Sequence, residues 1–282
     1  MEDIIVCVKQ VPNTTNVKLD PKDHTLIREG IPNIINPHDE FALDAALDCK
    51  NRYGIRVAVA TMGPPQAKDM LIHCLEKGAD EGFLLTDRRL AGSDTLATSR
   101  ALAALIRKTG YNNKNVFCGQ ESIDSSTGHI GPSLAELLCL PQITYAKEIL
   151  DINGNIMHIT SEYELGHRVI ELELPAVISF NKSSKDLRKK IRNISENKIK
   201  TLKLEDIEID ESFVGLKGSP TWVVNISVDE GAMNFLRVDS NLSAVERIKV
   251  ILSGGIVEKK GRMMLKGGSR DTIEKIVDVL RS

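Results

Sequence analysis

Over the first two thirds of the chain, short apolar runs rich in Ile and Val alternate with longer stretches in which apolar side chains return every third or fourth position. That alternation predicts parallel strands joined by covering helices, because a strand buried on both faces is apolar throughout and its crossover helix on one side only. Residues 4–9 read as the first strand. Residues 39–53 carry Phe41, Ala42, Ala45, Ala46 and Cys49 at helical spacing, with Asp39 placed to cap the helix after Pro37 and Gly54 to end it. A strand at 56–61 stops at MGPPQA, whose prolines pre-set a helix over 67–77 that closes at Gly78. A third strand at 82–86 precedes a helix that opens at Ser93 or Asp94 and stops at Gly110, and residues 115–119 form a fourth strand.

The stretch 115–140, NVFCGQESIDSSTGHIGPSLAELLCL, carries the most chemistry. Its apolar run ends at Gly119, small and hydroxylated residues follow, and a helical pattern starts near His129. The opening N–H groups of a helix lack intrahelical partners and lie at the positive end of its dipole, so they favour an anion. Ser125, Ser126, Thr127, Gly128 and Gly131 add hydroxyl donors and the low bulk that lets backbone approach a phosphate. The loop reads as a nucleotide cradle, although the same Ser and Thr serve equally as caps of an ordinary strand-to-helix connection. Its glycine spacing is neither that of a P-loop nor that of a dinucleotide fingerprint.

Beyond the cradle, residues 142–180 hold β-type segments broken at Asn153-Gly154 and Gly166, a meander whose last strand enters through Pro175. The long connection 10–38 contains four prolines and a short hairpin around 17–27, and a loop of that length serves as an arm or part of a site. Residues 181–201 are polar and mostly basic, either a solvated surface helix or a protruding element that docks a partner through Leu187 and Ile191. The tail is extended and then helical around 243–252 and 269–280. The expected organisation is an α/β nucleotide-binding domain over 1–201, with a protruding segment at 181–197, and a C-terminal arm over 202–282 that packs on a partner subunit.

A net charge of −2 in 282 residues gives no reason to expect nucleic acid or an anionic membrane, and aromatics at 4% argue against base stacking. The five cysteines are scattered without CxxC spacing, so neither zinc nor an iron–sulfur cluster is expected and they read as reduced core residues of a cytoplasmic protein. The N-terminus begins a strand almost at once, with no signal peptide, and no apolar run reaches the roughly 20 residues that span a bilayer. His38 and His129 have no metal-ligand spacing; His129, at the helix start of the cradle, could meet a phosphate or be a partly exposed helix residue.

Six motifs over residues 8–180 resemble, in order, those of the electron transfer flavoprotein β subunit. They are VKQVP with a following DP and T, GIPNIINPHDEFALDAAL, VAVATMGPPQAKDML, KGADEGFLLTDRRLAGSDTLATSRALA, GQESIDSSTGHIGPSLAELLCLPQITYA and ELELPAVISF. The resemblance implies an α/β fold like that of the adenine nucleotide α-hydrolases, a mostly parallel sheet flanked by helices, here with a β-meander and a C-terminal arm added. It implies a heterodimer with an α subunit that carries an electron-transferring FAD. On this chain it implies a second nucleotide, FAD in electron-bifurcating members and AMP in others. The family's contacts carry over to Cys7 and Lys9, to Asn36 through Asp39, to Met62 and Gly63, and to Gln120 through Gly131. That last span includes Asp124, Ser125, Ser126, Thr127, Gly128, His129 and Ile130. Asn36 and Asp39 are expected to hydrogen-bond a ribose or an adenine edge.

GSDTLATS, NPHDEFAL and GIPNIINP resemble the bifurcating members, which favours FAD and brings Asp94, Thr95 and Thr98 beside the flavin unless they only cap a helix. NADH is then the electron donor, with ferredoxin or flavodoxin and an acyl-CoA dehydrogenase-type flavoenzyme as acceptors. The alternative is AMP as a structural ligand while the α subunit carries the only redox flavin. In both, no side chain need act as nucleophile or general acid. A stand-alone ATP-using enzyme of the same fold needs an SGGxDS-like loop after the first strand, where Lys9, Gln10, Val11 and Pro12 stand instead. The family's NEPR-like run and leucine segment, which recognise the dehydrogenase, are replaced here by KSSKDLRKKIRNI, with Ile191 in the leucine's place by register.

Overall fold

The first strand, β1 (Ile4–Cys7), is buried along its whole length and sits inside the sheet, with β6 (Val57–Met62) on one side and β8 (Asn115–Gly119) on the other. The computed structural model describes residues 3–13, 18–19, 26–27, 33–111, 114–181 and 196–221. Between β1 and β6 lie β2 (Gln10–Pro12), β3 (Lys18–Leu19), β4 (Leu26–Ile27) and β5 (Asn33–Ile35). β2 pairs antiparallel with β5 and β3 with β4, so the Pro-rich connection is a double ladder, as the hairpin expected near 17–27 implies. Helix α1 (Pro37–Tyr53) then leads to β6, α2 (Lys68–Lys77) to β7 (Glu81–Leu85), α3 (Thr95–Lys108) to β8, and α4 (Ile130–Leu138) to the meander.

The meander comprises β9 (Gln142–Asn153), β10 (Ile156–Tyr163) and β11 (Gly166–Glu173), antiparallel to one another. The strand β12 (Val177–Phe180) returns parallel between β9 and β8. Among the described residues the main sheet has nine strands in the order β11-β10-β9-β12-β8-β1-β6-β7-β13, where β13 (Ile199–Leu202) pairs parallel with β7. This is the predicted α/β class.

Strand periodicity sorts the core into two layers. Ile4 and Val6 face one cluster with Leu43 of α1 and Leu71 of α2, while Ile5 and Cys7 face another with Leu102 of α3 and Leu134 of α4. Burial of each large side chain of this kind contributes about 1.5–3 kcal/mol.

The expected arm does not leave the fold at once. Leu204, Ile207 and Val214 are buried in the same cluster as α3 and α4, and a short helix, α5 (Gly215–Gly218), follows. Leu187 and Ile191, and the helices expected at 243–252 and 269–280, lie outside the described residues.

Two local expectations change. The N-cap of α1 is Asn36, not Asp39, because Pro37 already takes the first helical position and Asp39 points into the core. Of the cysteines, four are buried as expected. Cys139 is exposed, since it ends α4 in the left-handed region at φ 54° and turns its thiol outward.

Candidate functional site

The chain runs outward from β1 through β6 and β7, then crosses to β8 on the other side of β1. In an open parallel sheet the crevice at such a reversal, beyond the carboxyl ends of the strands, is where a ligand fits. A cavity of about 740 Å³ lies there, lined by Cys7 at the end of β1 and Lys9 beyond it, Met62 at the end of β6 and Gln120 just after β8.

Asp39 builds its floor. Its carboxylate accepts the backbone N–H of Lys9 at 2.7 Å and of Gly119 at 2.9 Å, so one buried group ties the ends of β1 and β8 to the start of α1. Gly119 is required, because a Cβ there would overlap that carboxylate. Burial raises the Asp39 pKa to about 7, against the hydrogen bonds from Lys9, Asn36 and Gly119 that favour the charged form. Burial also pushes the thiols up, Cys7 well above its usual range and Cys118 to about 12, so both stay neutral parts of the floor.

Asn36 is buried and fastens the cradle loop. Its amide donates to the Glu121 carbonyl at 2.9 Å and accepts the Ile123 N–H at 3.1 Å. Gln120 accepts the Tyr145 N–H at 2.8 Å, which joins the loop to the meander. The Lys9 ammonium reaches both oxygens of Asp124 at 2.7 Å and the Ser122 hydroxyl at 3.3 Å. Ser126 and Gly128 both take left-handed conformations, φ 48° and 66°, which turn the loop back toward α4.

At the start of α4 the N-cap is His129, whose side chain makes no capping bond. Pro132 in this first turn has no N–H, so the opening donors are few; of the residues that carry them, His129 and Ile130 line the cavity, where an anion could accept from their amides. Ser125, Thr127, Gly128, His129 and Ile130 line the cavity from this side. Gly131 does not line it; it lets α4 pack on β12, where a Cβ would run into the Ser179 hydroxyl. Gly63, Asp124 and Ser126 also fall outside the lining.

The opposite wall is the start of α3. Asp94 caps that helix, one oxygen accepting from Leu96 and Ala97 at 3.0 Å each, and Thr95 and Thr98 line the cavity beside it. Thr95 Oγ1 and His129 Nδ1 stand 3.4 Å apart, so the two helix starts meet across the site. Leu90, Leu96 and Leu102 make this end apolar. Pro220 and Thr221 complete the wall. Nothing in their local sequence marks them, because they reach the site only through tertiary packing. Ser122 was readable, since it belongs to the same hydroxyl-rich loop. Among the described residues there is no cluster of His, Cys, Asp and Glu suited to a metal, and no helix long and apolar enough to cross a membrane.

The profile of the electron transfer flavoprotein domain matches residues 23–207, most of the chain and nearly all of the sheet that builds the cavity. The chain belongs to the electron transfer flavoprotein β-subunit family. It is 44% identical over 232 residues to the electron transfer flavoprotein subunit beta of Clostridium acetobutylicum, covering 81% of this chain and 88% of that one. To the subunit beta of Thermoanaerobacterium thermosaccharolyticum it is 39% identical over 276 residues, 96% of this chain and 100% of the other. To CarD of the caffeyl-CoA reductase-Etf complex of Acetobacterium woodii it is 43% identical over 226 residues, 78% and 85% of the two chains. Membership makes this an electron-transfer protein that pairs with an α subunit, and associates it with a flavin or nucleotide.

Proposed function

We propose that the cavity holds a flavin adenine dinucleotide where this chain meets its α subunit, and that the heterodimer is of the electron-bifurcating kind. In this reading it takes electrons from NADH in the cytoplasm and delivers them to ferredoxin or flavodoxin and to an acyl-CoA dehydrogenase-type flavoenzyme. The volume carries the reading. About 740 Å³ lies in the upper part of the roughly 300–1,000 Å³ range of small-molecule sites, which favours a larger ligand.

The donor set fits both halves of such a ligand. The uncapped start of α4, the hydroxyls of Ser125 and Thr127 and the Lys9 ammonium oppose the charge of a pyrophosphate. The apolar walls at Leu90, Leu96 and Leu102 keep water from a flat ring system, and Thr95 and Thr98 offer hydroxyls to its edge. A flavin held there supplies two-electron oxidation of a dihydronicotinamide and the release of single electrons to two acceptors. The protein's share is binding, orientation and charge. Asn36 and Asp39 also line the cavity, where they would meet a ribose or an adenine edge, and Asn36 in addition holds the loop that carries the phosphate donors.

The relative in a caffeyl-CoA reductase complex supports a flavoenzyme acting on CoA thioesters as one acceptor. Leu187 and Ile191 are proposed as contacts for that acceptor. The test is stoichiometric: co-purify the chain with its α subunit, denature the complex and count the nucleotides released. Two FAD and no AMP per heterodimer support this function. One FAD and one AMP would make this chain a structural partner with all redox chemistry on the α subunit.

A further inference from the structure

The α3 end of the cavity is closed by chain from more than a hundred residues downstream, and it is laced in place. The Gly215 N–H donates to the Ser93 hydroxyl at 3.0 Å. The Asp94 N–H donates to the Ser219 hydroxyl at 2.8 Å, and that hydroxyl donates to the Gly215 carbonyl at 2.7 Å. Thr221 then gives both its N–H, at 3.1 Å, and its hydroxyl, at 2.8 Å, to the Asp94 oxygen that does not cap α3. Gly215 has φ 61°, and a Cβ there would run into the Arg89 carbonyl, so the approach tolerates little else. One carboxylate thus serves two elements: half of it starts α3 and half of it holds the last described residue.

The consequence is a wall. Pro220 and Thr221 line the cavity beside Thr95 and Thr98; the bonds of Ser93 and Ser219 tether the segment before them, and the Asp94 carboxylate holds Thr221 itself. The cradle and the Asp39 floor are fastened by a separate set of bonds, through Asn36, Gln120 and Lys9. The helices behind the two ends, α3 and α4, share one core cluster, but the polar bonds that fasten each end are separate, apart from the 3.4 Å approach of Thr95 to His129.

We propose that Asp94 and Thr221 form a clasp that makes the pocket selective for a dinucleotide, by fixing the wall against which the half of the ligand beyond the adenylate is packed. Thr221 is then a specificity-determining residue and Asp94 a positioning one. This rests on the dinucleotide reading above, with the adenylate at the cradle and the flavin toward α3.

The experiment uses the heterodimer stripped of this chain's nucleotide and titrated separately with FAD and with AMP. Asp94→Ser keeps an N-cap side chain but removes the second oxygen, and Thr221→Val keeps the volume but removes the hydroxyl. Each is expected to weaken FAD binding by about tenfold, a loss typical of one charge-assisted hydrogen bond, while AMP affinity stays at the wild-type value. The double variant is expected to lose no more than Asp94→Ser alone, and Thr221→Ser to restore FAD binding. Equal weakening of FAD and AMP would make the clasp merely structural and overturn the proposal, as would unchanged FAD affinity in both single variants. If the wild-type site takes AMP but no FAD, the dinucleotide reading itself fails, an outcome told apart because it appears before any substitution is made.

Discussion

Asp39 accepts the backbone N–H of Gly119 at 2.9 Å from a position on the first turn of α1, and so fastens that helix to the end of a strand on the far side of the sheet's reversal. The carboxylate does this while buried, which raises its pKa from 3.8 to about 7. A carboxyl whose pKa is higher folded than unfolded binds its proton more tightly in the native state. It therefore costs no stability below the unfolded value and a growing amount as pH rises toward the folded one.

Stability is thus expected to fall between about pH 4 and pH 7 by an Asp39-dependent amount of up to about 4 kcal/mol, three pKa units at about 1.4 kcal/mol each. Asp39→Asn removes the titration. Its amide still accepts one N–H but opposes the other, at about 1–3 kcal/mol. Urea unfolding of both proteins at several pH values is the check: the difference between them should slope with pH across this window. A constant difference would mean that Asp39 titrates as an ordinary carboxylate.

Gly131 packs α4 onto β12 so closely that any side chain displaces Ser179. Gly131→Ala is expected to destabilise the chain by about 1–3 kcal/mol, the usual cost of overpacking a core. Ser179→Ala removes the hydroxyl in the way, so the double variant should recover most of the loss. A double-mutant cycle on unfolding free energies measures it, and strict additivity would place the cost elsewhere.

Much of this fold could be read from the sequence because its signals are local. Runs such as IIVC and VAVATM and the stops at Gly54, Gly78 and Gly110 put strands and helices within a residue or two of their places. The cradle was readable for the same reason, as strand, hydroxyl-rich loop and helix start follow one another in the chain. Asp39 was misread as a cap because the local pattern around Pro37 fits one, and nothing nearby reveals that the N–H groups of Lys9 and Gly119 converge on it. Residues 199–202 are too polar to announce a strand, yet pairing with β7 makes them one. Pro220 and Thr221 carry no local signal at all.

Gly128 sits at φ 66° with only ordinary contacts around it, so its backbone conformation, not space, demands glycine. A β-branched side chain is the least tolerant of that conformation. Gly128→Val is expected to reshape the loop and empty the nucleotide site proposed for this chain while the flavin proposed for the α subunit stays bound. Gly128→Ala, which costs about 1–2 kcal/mol in the same conformation, should weaken the site without emptying it. Cofactor content per heterodimer decides, and full occupancy in the Val variant would remove the loop from the site.

The Lys9–Asp124 pair is a different kind of contact, since the two side chains are 46% and 32% exposed. Water screens it, so its loss should change stability by less than about 1 kcal/mol. Its effect is on binding. A phosphate entering the cradle must compete with Asp124 for the same ammonium, so the two partners should act on affinity with opposite signs. Asp124→Asn frees Lys9 and is expected to tighten nucleotide binding several-fold, whereas Lys9→Met leaves Asp124 uncompensated beside the phosphate and is expected to weaken it by about tenfold. Both shifts should shrink as salt is raised from low ionic strength to about 0.5 M, where the Debye length falls well below 10 Å. Nucleotide titrations of the stripped heterodimer at two salt concentrations measure both. If the two substitutions shift affinity in the same direction, the pair orders the loop instead of holding a charge in reserve for the ligand.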